Sequence, residues 1–170
     1  DIDTILRAAE RLNHDSHIRF VLFGDGKERA RLESESARMK LINVIFAGVC
    51  PKKEMPAIVA ASDVGIAILQ DIPMFRTTYP NKVFDTMAAG RATVLVIDGV
   101  SRELIEASNG GVYVRPNDDE LLAQKILELS KDPARVKQMG ANARAYLVKH
   151  LDRRDKLNET LVLLEKLVQT

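Results

Sequence analysis

The sequence has no tryptophan, one cysteine and three histidines in 170 residues. A single thiol, Cys50, excludes an internal disulfide framework and a four-thiolate zinc site. His14, His17 and His150 are scattered and offer no metal-ligand spacing. Charge of one sign is also lacking: 25 Lys and Arg stand against 24 Asp and Glu, a net charge of +1. A dedicated nucleic-acid binder would carry a basic excess, so none is expected. No apolar run is long enough to cross a bilayer, and no signal-peptide pattern opens the chain. The expectation is a soluble, cytoplasmic protein, or one peripheral at the inner face of a membrane. A methionine start is missing too: Asp1 leads directly into a helical pattern of Ile2, Ile5, Leu6, Ala9 and Leu12. This reads as an excised domain or a processed fragment.

What is present is globular. The composition is 46% hydrophobic and 29% charged, and the length suits one domain with a core that needs no staple. Short β-branched or aromatic runs alternate with amphipathic stretches. Strands are expected at 18–23, 44–46, 64–69, 93–97 and 111–114. Helices are expected over Asp1–Leu12, Glu28–Met39, Lys53–Ala61, Asn81–Ala89 and Arg102–Ala107, and in three pieces after Asp118. Asp1 or Asp3 would cap the first helix. Continuous apolar strands separated by helices indicate a parallel sheet covered on both faces. The fold class is therefore α/β, a doubly wound, mostly parallel Rossmann-like sheet. Ligands of such sheets bind beyond the carboxyl ends of the strands. The loops that matter are 24–27, 48–53, 70–82 and 98–103.

Gly24-Asp25-Gly26 lets a backbone approach a ligand closely at the start of a helix. It is not a dinucleotide fingerprint, because Arg29 stands where the third glycine would be, and no Walker-type loop occurs. The richer stretch is Tyr79-Pro80-Asn81-Lys82-Val83-Phe84-Asp85, running to Gly90. Pro80 suits a helix start, and the first-turn amides would face the ligand side. Asp85 lies at i+4 from Asn81 on the same face, where a carboxylate can accept two hydroxyls from a diol such as ribose. Otherwise it only complements the helix dipole. Asp1-Ile2-Asp3 and Asp118-Asp119-Glu120 read as helix-start charges, and Ser101 as a helix cap. Cys50 has no partner that would make it a nucleophile. The run Lys27, Arg29, Arg31, Arg38 and Lys40, interleaved with Glu28, Glu33 and Glu35, reads as a solvated face. Leu157, Leu161, Leu164 and Val168 form a stripe on the last helix that is expected to stay partly wet. No metal site and no cofactor are expected.

The order of these pieces resembles the C-terminal, donor-binding half of a GT-B glycosyltransferase, of the retaining group 1 or family four type. The residues that carry the likeness are Phe20–Gly26, Asn43–Val49, Ala60–Ile66, Pro80–Gly90 with Ala92–Leu95, Gly110–Val112, Leu121–Ala123 and Met139–Arg144. The wording of Pro80–Asp85 is similar to transferases of amino-sugar residues in O-antigen and capsule assembly. The resemblance implies that Asp85 matches the second acid of the family's Glu-x7-Glu motif and holds ribose hydroxyls. The first acid falls at Thr77, so backbone amides around Thr78–Asn81 would substitute. Asp63 and Asp71 have the same spacing but lie out of register with Ala88-Ala89-Gly90. Val49 matches the position whose backbone reads the base edge, and Gly24 and Gly26 the turn beside the nucleotide.

The substrate-binding set is therefore Gly24, Gly26, Val49, Thr78, Tyr79, Asn81, Lys82 and Asp85, with no catalytic residue in the chain. Residues 1–170 would be one nucleotide-sugar domain. The diphosphate clamp, an Arg and a Lys on the loop leading to Asp1, and the acceptor domain would lie upstream. The partners implied are a nucleoside diphosphate sugar, UDP-linked, and the N-terminal domain of the same protein. The domain alone would not transfer sugar. The competing reading is a non-catalytic nucleotide-sugar-binding or Rossmann-like regulatory module. A receiver needs an acidic cluster at its first strand end and a phosphorylatable Asp at its third, which Asp25 and Asp71 do not reproduce.

Overall fold

In a computed structural model, residues 1–168 are described, with side chains to Leu167. Five strands alternate with helices: α1 (Ile2–Arg11), β1 (Phe20–Phe23), α2 (Arg29–Arg38), β2 (Val44–Gly48), α3 (Met55–Ala61) and β3 (Val64–Ile68). A 3-10 turn (Pro73–Thr77), α4 (Asn81–Ala88), β4 (Ala92–Val96), α5 (Val100–Ser108) and β5 (Gly111–Tyr113) follow. The chain closes on α6 (Asp119–Ser130), α7 (Pro133–His150) and α8 (Arg153–Val168). Every pairing is parallel, as expected of strands joined by helices. The strands form two ladders, β1–β2 and β3–β4–β5.

β4 is the axis of the fold. All five of its residues are buried, and alternate side chains serve opposite faces. Val94 and Val96 join a core with α1 and α6, through Ile5, Ala8, Ala9, Leu12 and Leu122. Leu95 joins the other core, with Val83 and Met87 of α4, Ile105 of α5 and Ala143 of α7. The fold is thus α/β and doubly wound around β3–β5. The first ladder departs from expectation. Phe20 and Leu22 pack towards α1, but Val21, Phe23 and Ile45 on the other face are exposed. No residue of α3 is buried, so β1 and β2 are covered on one face only.

Charges stitch α1 to its neighbours. The expected carboxylate cap of α1 is corrected: no side chain caps its N-terminus. The Asp1 carboxylate accepts the Thr4 hydroxyl at 2.7 Å instead. Asp3 takes two bonds from Arg31 of α2, both 2.8 Å. The acidic start of α6 divides its labour. Asp118 caps the helix by accepting from the Leu121 N–H at 2.9 Å, as expected. Asp119 reaches across to Arg7 and Arg11 of α1 at 3.0 and 2.9 Å. The basic run of α2 is the solvated, paired face anticipated, with Arg29–Glu33, Arg31–Glu28 and Arg38–Glu35. Residues 153–167 of α8 are exposed all round, including Leu157, Leu161 and Leu164. The Val168 side chain lies outside the described residues.

Two tight contacts set packing distances. A Cβ on Gly140 of α7 would collide with the Gly90 carbonyl, so α7 rests directly on the backbone at the end of α4. The nearby guanidinium of Arg144 donates to the Ala88 carbonyl. Gly140→Ala should therefore force backbone apart, at a cost of about 3 kcal/mol. Urea unfolding measures it; a midpoint unchanged from the parent would contradict the contact.

The carboxyls that stitch α1 and α6 also predict an acid response. Arg31 holds the Asp3 carboxyl below its ordinary range. The Leu121 N–H, then Arg115, does the same for Asp118. Burial raises Asp119, but Arg11 and Arg7 outweigh it and the net direction is down. Depressed carboxyls contribute stability that is present above the unfolded pKa and lost as pH falls through the folded one. These groups should thus leave stability flat from neutral pH down to about pH 4 and erode it below. Urea midpoints for Asp119→Asn should fall less steeply with acid than those of the parent; parallel curves would remove Asp119 from the account.

Candidate functional site

The carboxyl ends of the strands, with the starts of α1 and α4, define one surface. β1 runs into Gly24-Asp25-Gly26, where Gly24 has φ +133° and its N–H donates to the Gly48 carbonyl at 2.8 Å. This backbone bond joins the ends of β1 and β2. Val49, immediately after β2, is exposed. Gly24, Gly26 and Val49 therefore lie on neighbouring loops, with the Gly26 N–H turned back to the Asp25 carboxylate at 2.8 Å and its carbonyl taken by the Arg29 N–H at 3.0 Å.

α4 supplies the polar centre. Its N-cap is Pro80, with φ −67° and ψ 135°. Pro80 has no N–H, and the Val83 N–H closes on the Pro80 carbonyl at 3.0 Å. The amides of Asn81 and Lys82 remain free at a helix N-terminus, where partial positive charge collects. Asn81 and Asp85 sit one turn apart on the exposed side, while Val83 and Met87 are fully buried on the other. Among the described residues the Asp85 carboxylate has no hydrogen-bond or ion-pair partner; its backbone carbonyl is engaged by the Ala89 N–H at 3.0 Å. An unpaired carboxylate beside free helix amides is open to an incoming donor.

Lys82 completes the cluster. The residue is exposed, yet enough protein crowds its ammonium that burial holds its pKa below the ordinary lysine value. Burial, and then the Lys82 charge, hold the amino group at Asp1 below its ordinary pKa. Tyr79 lies against Phe84 with ring centroids 5.9 Å apart and leaves its own ring half exposed at the mouth.

The loop between β3 and α4 is held by its neighbour. Ser101, expected as a helix cap, lies inside α5 and is fully buried. Its hydroxyl donates to the Thr78 carbonyl at 2.7 Å. Two residues earlier Gly99, with φ +81°, lies so close to the Arg76 carbonyl that a Cβ would overlap it. The α5 start thus clamps the stretch that carries Thr78 and Tyr79. Sequence reasoning missed this role. The only signal was a glycine and a serine bracketing a helix start, which is also how an ordinary cap looks. Thr77 and Thr78 turn their hydroxyls back to the Met74 carbonyl, at 3.0 and 3.3 Å. They offer a ligand backbone rather than hydroxyl donors.

Other candidates fall away from the site. Asp71 and Asp98 pair with Arg76 and Arg102 at 3.5 and 3.6 Å, and Arg102 stacks 4.2 Å above the Tyr113 ring. Burial and Glu54 push the Cys50 thiol up, the wrong direction for a nucleophile. Among the described residues no group of His, Cys, Asp and Glu could hold a metal. No helix there is long and apolar enough to cross a membrane. Shallow concavities lie elsewhere, one beside Arg11, Arg115 and Asp118 and one against α8. The strand-end site is an open surface.

Comparison with known proteins bears on the fold and the family. No curated protein sequence matches the chain. Among solved structures, a TarM variant from S. aureus, described as a complex with fondaparinux, alpha-GlcNAc-glycerol and UDP, superposes with a TM-score of 0.80 at 18% identity. That match covers 95% of this chain and 32% of TarM. Anabaena HepE in complex with UDP-glucose gives 0.78 at 20% identity, over 94% of this chain and 44% of HepE. The C-terminal domain of a glycosyl transferase group 1 family protein, LpcC from Francisella tularensis, gives 0.70 at 17% identity. It is covered to 77%, against 86% of this chain. The chain thus spans less than half the length of TarM and HepE and most of the isolated LpcC domain. The family model for glycosyl transferases group 1 matches residues 1–132, and the chain belongs to that family.

Proposed function

We propose that the chain is the donor-binding half of a retaining glycosyltransferase that moves a sugar from a UDP-linked donor to a glycan or lipid-linked acceptor. The observation that carries this is the α4 start: an unpaired Asp85 carboxylate, Asn81 on the same face, two free amides and a crowded Lys82 ammonium. Asp85 accepts the ribose hydroxyls. The amides of Asn81 and Lys82, with the Lys82 charge, face the diphosphate, as helix starts favour anions. Gly24 and Gly26 let the backbone approach the nucleotide, and the Val49 backbone reads the base edge. The clamped backbone from Thr78 to Asn81 meets the sugar in place of the acid that Thr77 replaces. The complexes of TarM with UDP and of HepE with UDP-glucose support a uridine donor. The wording of Pro80–Asp85 favours an amino sugar bound for a surface polysaccharide.

In this reading an upstream half carries the acceptor site and an Arg and a Lys that stabilise the leaving diphosphate, an electrostatic role. The open strand-end surface suits a site completed by a second lobe. A second reading, donor binding without transfer, is favoured by Thr77 alone, which brings no carboxylate to the sugar.

Two measurements test the assignment. Calorimetry of UDP on the full-length protein should show Asp85→Ala weakening binding by about tenfold or more, the loss of a charge-assisted hydrogen bond worth about 1.5–3 kcal/mol. Unchanged affinity would sink the ribose role. The Lys82 pKa is depressed because its charged form is disfavoured in the free protein. A diphosphate beside it should stabilise the ammonium and raise that pKa. Titration of the Lys82 side chain by NMR should show the rise with UDP and none with uridine. The same shift with both ligands would place the phosphates elsewhere.

A further inference from the structure

The backbone between the 3-10 turn and α4 is held on both sides of Tyr79. The Thr78 N–H donates to the Phe75 carbonyl at 3.2 Å, and the Val83 N–H takes the Pro80 carbonyl at 3.0 Å. Pro80 fixes its own φ at −67°. The Thr78 carbonyl accepts the Ser101 hydroxyl at 2.7 Å. That bond leaves Ser101's own helix, whereas the buried hydroxyls of Thr86 and Ser108 return to carbonyls of theirs, at 2.8 and 3.1 Å. Among the described residues the Tyr79 N–H has no partner. It shares a peptide unit with the Thr78 carbonyl. The unit is trans, so its N–H and C=O point in opposite directions. With the carbonyl drawn onto the fully buried Ser101, the Tyr79 N–H is turned away from α5.

We infer that Ser101 is a positioning residue: by holding the Thr78 carbonyl it aims the Tyr79 N–H at the sugar of a bound nucleotide sugar. This rests on the donor-binding reading of the α4 start, in which Asp85 meets the ribose and the amides of Asn81 and Lys82 meet the diphosphate. Asp85 lies about 6 Å along the helix from Asn81. Tyr79 precedes Asn81 by two residues through the extended Pro80, up to about 7 Å further out. The group beyond the diphosphate is the sugar. Neighbouring side chains do not compete for it. Thr77 and Thr78 direct their hydroxyls to the Met74 carbonyl, and Arg76 pairs with Asp71. The stretch therefore offers the sugar a backbone donor, which takes an oxygen acceptor such as a hydroxyl or an acetyl carbonyl. Gly99 supplies the room: a Cβ there would come within 2.0 Å of the Arg76 carbonyl oxygen, so the α5 start comes this near to the loop only with glycine at that position. Without the Ser101 hydroxyl, the Thr78 carbonyl is released to water and the Tyr79 N–H turns with it.

The test is calorimetry on the full-length protein with UDP, UDP-glucose and UDP-N-acetylglucosamine. Ser101→Ala should weaken the sugar nucleotides about fivefold or more, the loss of one aimed hydrogen bond, and leave UDP within about twofold. Isotope-labelled tyrosine gives a signature that leaves Ser101 untouched. In the parent the Tyr79 amide, assigned by its loss in Tyr79→Phe, should shift with a sugar nucleotide and stay in place with UDP. If Ser101→Ala fails to fold, Ser101→Cys, close in size but a weak donor, carries the same comparison. Equal weakening of UDP and sugar nucleotides, weakening of neither, or a Tyr79 amide that shifts as much with UDP would overturn the assignment. Asp85→Ala keeps it distinct from the donor reading: unchanged UDP affinity there sinks the ribose role alone. A parent that binds no UDP overturns both.

Discussion

The buried face of α1 is the constraint on which the rest depends. Ile5, Ala8, Ala9 and Leu12 are nearly or fully inaccessible and share one core with residues of both ladders. Two strands and three strands, each too small to be stable alone, gain a common core by packing under one ten-residue helix. Burying an aliphatic side chain contributes about 1.5–3 kcal/mol, so a single lost residue here would be felt on both sides. The charge pairs to α2 and α6 fix how α1 lies rather than how tightly it is held. They are partly exposed, and such pairs contribute little energy each.

Much of the fold was legible because β4 and its neighbours obey simple periodicities. The run from Val94 to Ile97 is continuously apolar, the mark of a strand covered twice, and it is covered twice. Helix starts at Pro80 and Asp118 were readable from their residue types. Asp118 and Asp132 do accept from Leu121 and Arg135 amides at 2.9 Å. The open face of β1 and β2 was not legible. Val21, Phe23 and Ile45 are chemically what a covered strand would carry, and a local pattern cannot report whether a covering element exists. The split into two ladders was invisible for the same reason, since register belongs to pairs of strands.

For the site, the sequence located the chemistry but not its support. Asp85 and Asn81 were readable as one helical face because i and i+4 coincide by geometry alone. Gly24, Gly26 and Val49 followed from their place at strand ends. The Ser101 hydroxyl and the Gly99 close approach depend on which loop lies across from α5, 23 residues away in sequence for the Thr78 bond. Nothing local distinguishes that from capping. Lys82 was legible as a positive charge near the helix start. Its crowded ammonium was not, because burial depends on what packs around the side chain in the folded chain.

The absence of tryptophan has an optical consequence. Emission under ultraviolet light falls to three tyrosines, and their surroundings differ sharply. Tyr79 leans on Phe84 at the mouth of the site. Tyr113 lies beneath the Arg102 guanidinium, on the helix that clamps the Thr78 loop. Tyr146 packs against His150, with ring centroids 4.5 Å apart, on α7. Two of the three emitters therefore sit at or beside the candidate site, and the third packs with Phe84 against the core under α4. The protein carries a built-in fluorescent readout of that surface, with no label and no substitution required.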